Sequence, residues 1–117
     1  MTSRLTLPAA PQSIRLVPAS DKSAVAKAFA EGVAYAERAA KVDQKGRPLH
    51  RFDALVEYAG ARLGTVSVET PQPLPESVPL GAVYQPVGQT SLTVANARDA
   101  FDLRITLHVE GYEPVKG

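Results

Sequence analysis

Cysteine is missing from all 117 residues of this chain. That excludes disulfides and thiolate metal sites, and it suits a reducing compartment. Histidine is nearly missing too, with only His50 and His108, and they lack the His-x-x-x-His spacing that brings two imidazoles onto one helix face. His108-Val109-Glu110 has the letters His-x-Glu, but on a strand near the C-terminal end, in the wrong context for a metal helix. No Gly-x-Ser-x-Gly, phosphate-binding loop or Gly-x-Gly-x-x-Gly occurs, so serine hydrolases, NTPases and dinucleotide enzymes lack their signatures. Neither catalytic residues nor a metal nor a cofactor is expected. Charge of one sign is not in excess: 13 Lys+Arg stand against 12 Asp+Glu, a formal +1. Dedicated nucleic-acid binders are usually visibly basic, so any polyanion contact must come from uneven placement of these charges. No run approaches the roughly 18 apolar residues of a membrane span, and the opening residues hold no apolar core of a signal peptide. A soluble, cytoplasmic protein with no membrane partner is expected.

What is present organises around Val42 to Tyr58. A turn signal, Asp43 to Gly46 with Pro48 behind it, runs into a segment that alternates. His50, Phe52, Ala54, Val56 and Tyr58 fall on one face, and Leu49, Arg51, Asp53, Leu55 and Glu57 on the other. A period of two predicts a strand with one better-buried face. The reading is the tip and second arm of a β-hairpin, with Lys45, Arg47 and Arg51 forming a cationic loop held out from a sheet.

The length predicts one domain with its own core. Residues 1–20, with Pro8, Pro11 and Pro18 around two short alternating pieces, read as an extended arm carrying at most an edge strand. Residues 21–110 read as the domain, and 111–117 as a tail. Within the domain, alanine-rich 21–41 is divided. Propensity favours a short helix from Asp21 to about Ala30, while the hairpin requires a first arm, hence a strand from Val33 to Val42. A turn at Gly60-Ala61-Arg62 leads to a strand from Leu63 to Glu69. Pro71, Pro73, Pro75 and Pro79 make the next stretch a stiff link. Then come a strand from Ala82 to Val87 stopped by Pro86 and Gly88, another around Leu92 and Val94, and a turn at residues 96–99. Phe101, Leu103, Ile105, Leu107 and Val109 alternate with polar neighbours in the cleanest strand of all. Five or six short strands with turn signals between them predict an all-β barrel or sandwich.

Several pieces in order carry a resemblance: the turn Lys45-Gly46-Arg47-Pro48, the alternating strand, the Val-rich strand and the proline link. Gly81-Ala82-Val83-Tyr84 and the closing Leu103-Arg104-Ile105-Thr106-Leu107 complete it. From about Val33 to Leu107 the chain resembles the small single-stranded-DNA-binding proteins of filamentous phages and rolling-circle plasmids. The resemblance implies a mainly β, five- to six-stranded OB-like barrel with a basic hairpin over the DNA, working as a homodimer. It implies Lys45, Arg47 and Arg51 as backbone contacts, with Arg62, Arg98 and Arg104 as further cations. Where the family pattern has an aromatic just after the turn, this chain has Leu49, which leaves Tyr35, Phe52, Tyr58 and Tyr84 for stacking, with Tyr35 and Tyr84 the rings expected to contact bases. Single-strand binding needs both cations along the phosphates and rings under the bases. The alternative is a small phage- or plasmid-type module that binds or inhibits a protein partner through its arm and proline link.

Overall fold

In a computed structural model of the chain, the described residues are 4–19, 24–25, 41–74, 81–96 and 103–115. Seven strands lie among them: β1 (Arg4–Pro8), β2 (Ile14–Pro18), β3 (Ala24–Val25), β4 (His50–Tyr58), β5 (Ala61–Thr70), β6 (Tyr84–Asn96) and β7 (Leu103–Pro114). No helix among these residues is long and apolar enough to cross a membrane.

Strand β4 shows why the sheet closes. Phe52, Ala54 and Val56 are buried while Arg51, Asp53, Leu55 and Glu57 are exposed, as the period of two requires. On β5, Val66, Val68 and Thr70 supply the matching inward face, and on β7 Leu107, Val109 and Tyr112 do so. The strands then run in the order β2-β4-β5-β7-β6, and β6 returns to β2 where Leu16 faces Tyr84. All these pairings are antiparallel except β5 with β7, which is parallel. In chain order the five barrel strands are therefore linked first-second-third-fifth-fourth, the Greek-key arrangement of a small OB-like barrel. Strand β1 adds a sixth ribbon on β6, from Arg4 opposite Ala95 to Pro8 opposite Ser91.

The core holds Ile14, Leu16, Phe52, Val56, Val66, Val68, Leu107 and Val109, closed at one end by three rings. Tyr112 meets Phe52 at 5.8 Å and Tyr84 at 5.3 Å, both edge-on. That geometry sets positive ring edges against negative faces. The Tyr112 hydroxyl donates to the Pro73 carbonyl at 2.8 Å, and burial, with Tyr84 beside it, pushes its pKa up to about 12. Gln72 bridges the backbone N–H and C=O of Tyr112, and Leu74 is buried. The start of the proline-rich link is thus spent on this barrel's own end; residues 75–80 lie outside the described set.

Several boundaries differ from the sequence reading. Of the stretch read as an extended arm, the described residues 4–19 hold two strands and are part of the barrel. Ile14 and Leu16 are fully buried, and β2 is a barrel strand, because only it completes the ring between β4 and β6. The tail reading also fails for the described residues 111–115, since β7 continues to Pro114 and buries Tyr112. Ala24–Val25, read as helix, is extended and pairs with Arg51 and His50, so pairing to a strand edge overrides alanine propensity there. The rest of the helix-or-strand division over 21–40 lies outside the described residues, as do the turn residues 97–99.

The β4–β5 turn is Ala59-Gly60, one residue before the expected position. Both residues have positive φ, 50° and 86°, the backbone of a type I′ hairpin that matches strand twist. Strand β6 does not stop at Pro86. Described pairing on one side of β6 is confined to Tyr84 with β2 and to Ser91 onward with β1, so Pro86 lies where no ladder N–H is demanded. Gly88 makes a bulge instead: between Val87 and Thr90 the register with β7 shifts, and Gly88 takes φ 80°. A Cβ there would fall onto the Glu110 side chain.

Candidate nucleic-acid interface

The hairpin tip is built by one carboxylate. Asp43 Oδ1 accepts the backbone N–H of Lys45 at 2.9 Å and of Arg47 at 2.8 Å, and Oδ2 takes the Arg47 Nε–H at 2.7 Å. Gly46 N–H donates to the Asp43 carbonyl at 3.0 Å, with Gly46 at φ 78°. Desolvation pushes the Asp43 carboxyl up, but the Arg47 and Lys45 amides and the Arg47 guanidinium outweigh it, holding the carboxyl below its ordinary value. Val42 pairs with Pro48 and Leu49 N–H donates to the Lys41 carbonyl, which closes the loop just before β4.

This loop is not held out from the sheet; it lies over the barrel wall. Lys41 Nζ is 3.0 Å from Glu69 on β5, and Lys45 Nζ is 4.0 Å from Glu110 on β7. Glu69 is shared. His108 Nδ1 stands 3.4 Å from it, and His108 Nε2 is 2.8 Å from Thr93 Oγ1. Thr93 Oγ1 in turn is 3.2 Å from Thr6 Oγ1. With Nδ1–H turned to the carboxylate, Nε2 accepts the Thr93 hydroxyl. A polar chain thus crosses from the hairpin base over β5, β7 and β6 to β1. Burial would raise the Glu69 carboxyl, yet hydrogen bonds from His108 and Lys41 and the Lys41 charge win, placing its pKa at about 2. The order hydroxyl, imidazole, carboxylate is that of an activated nucleophile, but Thr93 is only 9 % exposed and Thr6 already holds its hydroxyl. The same contacts tie the hairpin base to the barrel wall.

Between hairpin and wall lies a cleft of about 400 Å³. Three cations (Lys41, Lys45, Arg47) and three carboxylates (Asp43, Glu69, Glu110) line it, together with His108, Gln89, Ser91, Val42 and Pro71.

The residues singled out from sequence are spread over this side and its neighbours. Lys45 is the most open of the tip cations, its side chain 70 % exposed. Arg47 is exposed but its guanidinium is committed to Asp43. Arg51 is on the outer face of β4, its Nε–H donating to Ser67 Oγ at 2.8 Å. Ser67 pairs with Thr106, two positions from exposed Arg104 on β7. Arg62 is exposed at the far end of β5, opposite Glu57. Tyr84 is a correction: buried at 5 % exposure and edge-on to Tyr112, it has no face to offer a base, because its strand position is needed to close the barrel. Phe52 is buried likewise, and Tyr58 packs against the core with its hydroxyl accepting the Ala10 N–H. Arg98 and Tyr35 lie outside the described residues.

Lys41, Glu69, Gln89 and Thr93 were not singled out from sequence, and Glu110 only as the Glu of the rejected His-x-Glu. The signal for Glu69 and His108 was their outward parity on two strands, but only the parallel β5–β7 register makes them partners. Gln89 reaches the cleft through the Gly88 bulge, which no alternation pattern announces. No protein-family model matches this chain, and no match is found among curated proteins or solved structures.

Proposed function

We propose that this chain is a non-catalytic single-stranded-DNA-binding protein of the phage or plasmid type, acting in the cytoplasm as a homodimer and gripping the sugar-phosphate backbone. The observation that carries the reading is the placement of Lys45, Arg51 and Arg104 around an OB-like barrel. In such barrels the second and third strands, here β4 and β5, form the face on which oligonucleotides bind. Arg51 lies on that face, an exposed residue whose Nε–H donates to Ser67. Arg104 follows on the adjoining strand, and Lys45 overhangs from the hairpin. Such contacts position a strand and do not read its sequence. Arg47 belongs to the loop's internal structure and serves indirectly, by keeping Lys45 in place.

A second reading has its own observation. Lys41, Arg47 and Lys45 each face a carboxylate, and a wall of balanced charge also suits a protein partner.

Titration of a fluorescent oligothymidine across a salt series separates the two. Each phosphate neutralised contributes about 0.7 to the negative slope of log K against log[salt] on single strands. The Lys45→Ala/Arg51→Ala/Arg104→Ala triple should flatten that slope by about 2 and remain folded. Equal, weak binding by wild type and triple at low salt would remove the DNA reading and leave the protein partner.

A further inference from the structure

We propose that the cleft beneath the hairpin receives one nucleotide of the bound strand, its base between hairpin and wall and its phosphate at Lys45. This rests on the single-strand reading above. A base needs a flat or apolar contact; among the described aromatic rings Phe52, Tyr84 and Tyr112 are buried, and half-buried Tyr58 packs against the core with its hydroxyl on the Ala10 N–H. The cleft supplies what they do not. Its volume of about 400 Å³ is at the lower end for a small-ligand site. Exposed Val42 and the ring of Pro71 give it apolar sides, and Gln89 and Ser91 give it an amide and a hydroxyl.

Charge decides which part of a nucleotide goes in. Glu69 is saturated by Lys41 and His108, and Asp43 by Arg47. With three cations against three carboxylates, the interior is balanced, so a phosphate gains little there and a neutral base loses nothing. Lys45 differs from the other cations. It is 70 % exposed and 4.0 Å from its carboxylate, too long for a strong charge-assisted hydrogen bond, so it can turn to a phosphate at the mouth.

The bulge is the built feature. Two residues, Gly88 and Gln89, stand where Glu110 alone stands on β7, and that extra residue directs Gln89 to the cleft. Gly88 takes φ 80°, where any other side chain is strained, and a Cβ there would push the Glu110 side chain aside. Bulges commonly re-aim a side chain beside a binding site. Gln89 makes no side-chain hydrogen bond among the described residues, leaving donor and acceptor for a base edge.

The test compares a short oligothymidine with its abasic counterpart of equal length. Wild-type protein should bind the abasic strand about tenfold more weakly, within the range of one lost base contact. Ser91→Phe, which fills the cleft, should bind both strands alike, at the wild type's abasic affinity and with an unchanged salt slope. Gln89→Ala, a change at an exposed side chain, should shrink the abasic penalty without touching the fold. An abasic penalty of the same size in wild type and both variants would place base contacts elsewhere and overturn the proposal. No penalty in wild type would overturn it too, with backbone binding intact. Absence of any strand binding would remove the single-strand reading and this proposal together.

Discussion

Replacing Glu69 by glutamine removes the charge that joins Lys41 of the hairpin base to His108 of the barrel while keeping the side chain's shape. The carboxyl is held at about 2 against an ordinary value of 4.5. At about 1.4 kcal/mol per tenfold in proton affinity, that interval corresponds to about 3 kcal/mol of folding stability. The side chain is only 11 % exposed, so screening removes little, but Lys41 is 42 % exposed and about 1–3 kcal/mol is the range to expect. The sign follows from the direction. A carboxyl whose folded pKa lies below its unfolded one stabilises fully above about pH 4.5, and that contribution is lost as pH falls from 4.5 toward 2. Urea unfolding of wild type and Glu69→Gln at pH 7, 4.5, 3 and 2 isolates the effect, since every other carboxyl titrates in both proteins. The stability difference should be present at pH 7, persist to about pH 4.5 and be close to zero at pH 2. A difference that stays constant between pH 7 and pH 2, or none at pH 7, would refute the assignment of Glu69 as the hairpin's anchor.

Leu107→Ala, at a fully buried position on β7, should cost about 2–5 kcal/mol in urea unfolding. Arg104→Ala on the outward face of the same strand should cost under about 0.5, and equal losses would mean the faces are reversed. Ala59 is exposed with φ 50°, a left-handed conformation that costs a side-chain-bearing residue about 1 kcal/mol. Ala59→Gly should therefore raise Tm by about 4 °C in a thermal scan, and a lower Tm would show the turn unstrained.

Much of this barrel could be read along the chain because a strand with one wet face writes its own burial into a period of two. His50 to Tyr58 shows this most plainly: the inward set Phe52, Ala54, Val56 and the outward set Arg51, Asp53, Leu55, Glu57 follow from spacing alone. The turn chemistry of Asp43 and Gly46 was legible for a similar reason, since an Asx carboxylate and a left-handed glycine act within a few residues. Where a rule of local propensity was applied to a residue with distant partners, it failed. Pro86 looked like a strand end, yet no described partner of its strand demands that N–H. Ala24 and Val25 looked helical, yet a strand edge was there to pair with them.

Periodicity and composition alone settled the β class, the inward face of β4 and of the middle of β7 at Leu107 and Val109, the local form of the hairpin tip, and the absence of thiol chemistry. Each depends on interactions within a few bonds or on a simple inventory. Tertiary structure alone decided that β2 is a barrel strand, that Tyr112 lies in the core, and that the hairpin folds onto the wall. It also decided that Glu69 and His108 are neighbours and that Gln89 reaches the cleft. These depend on which strands meet, in which direction and at which register. The parallel β5–β7 pairing brings together residues far apart in the chain, and one extra residue at Gly88 resets the register beside it. Neither leaves a periodic trace, because the free energy that selects them comes from closing the barrel as a whole.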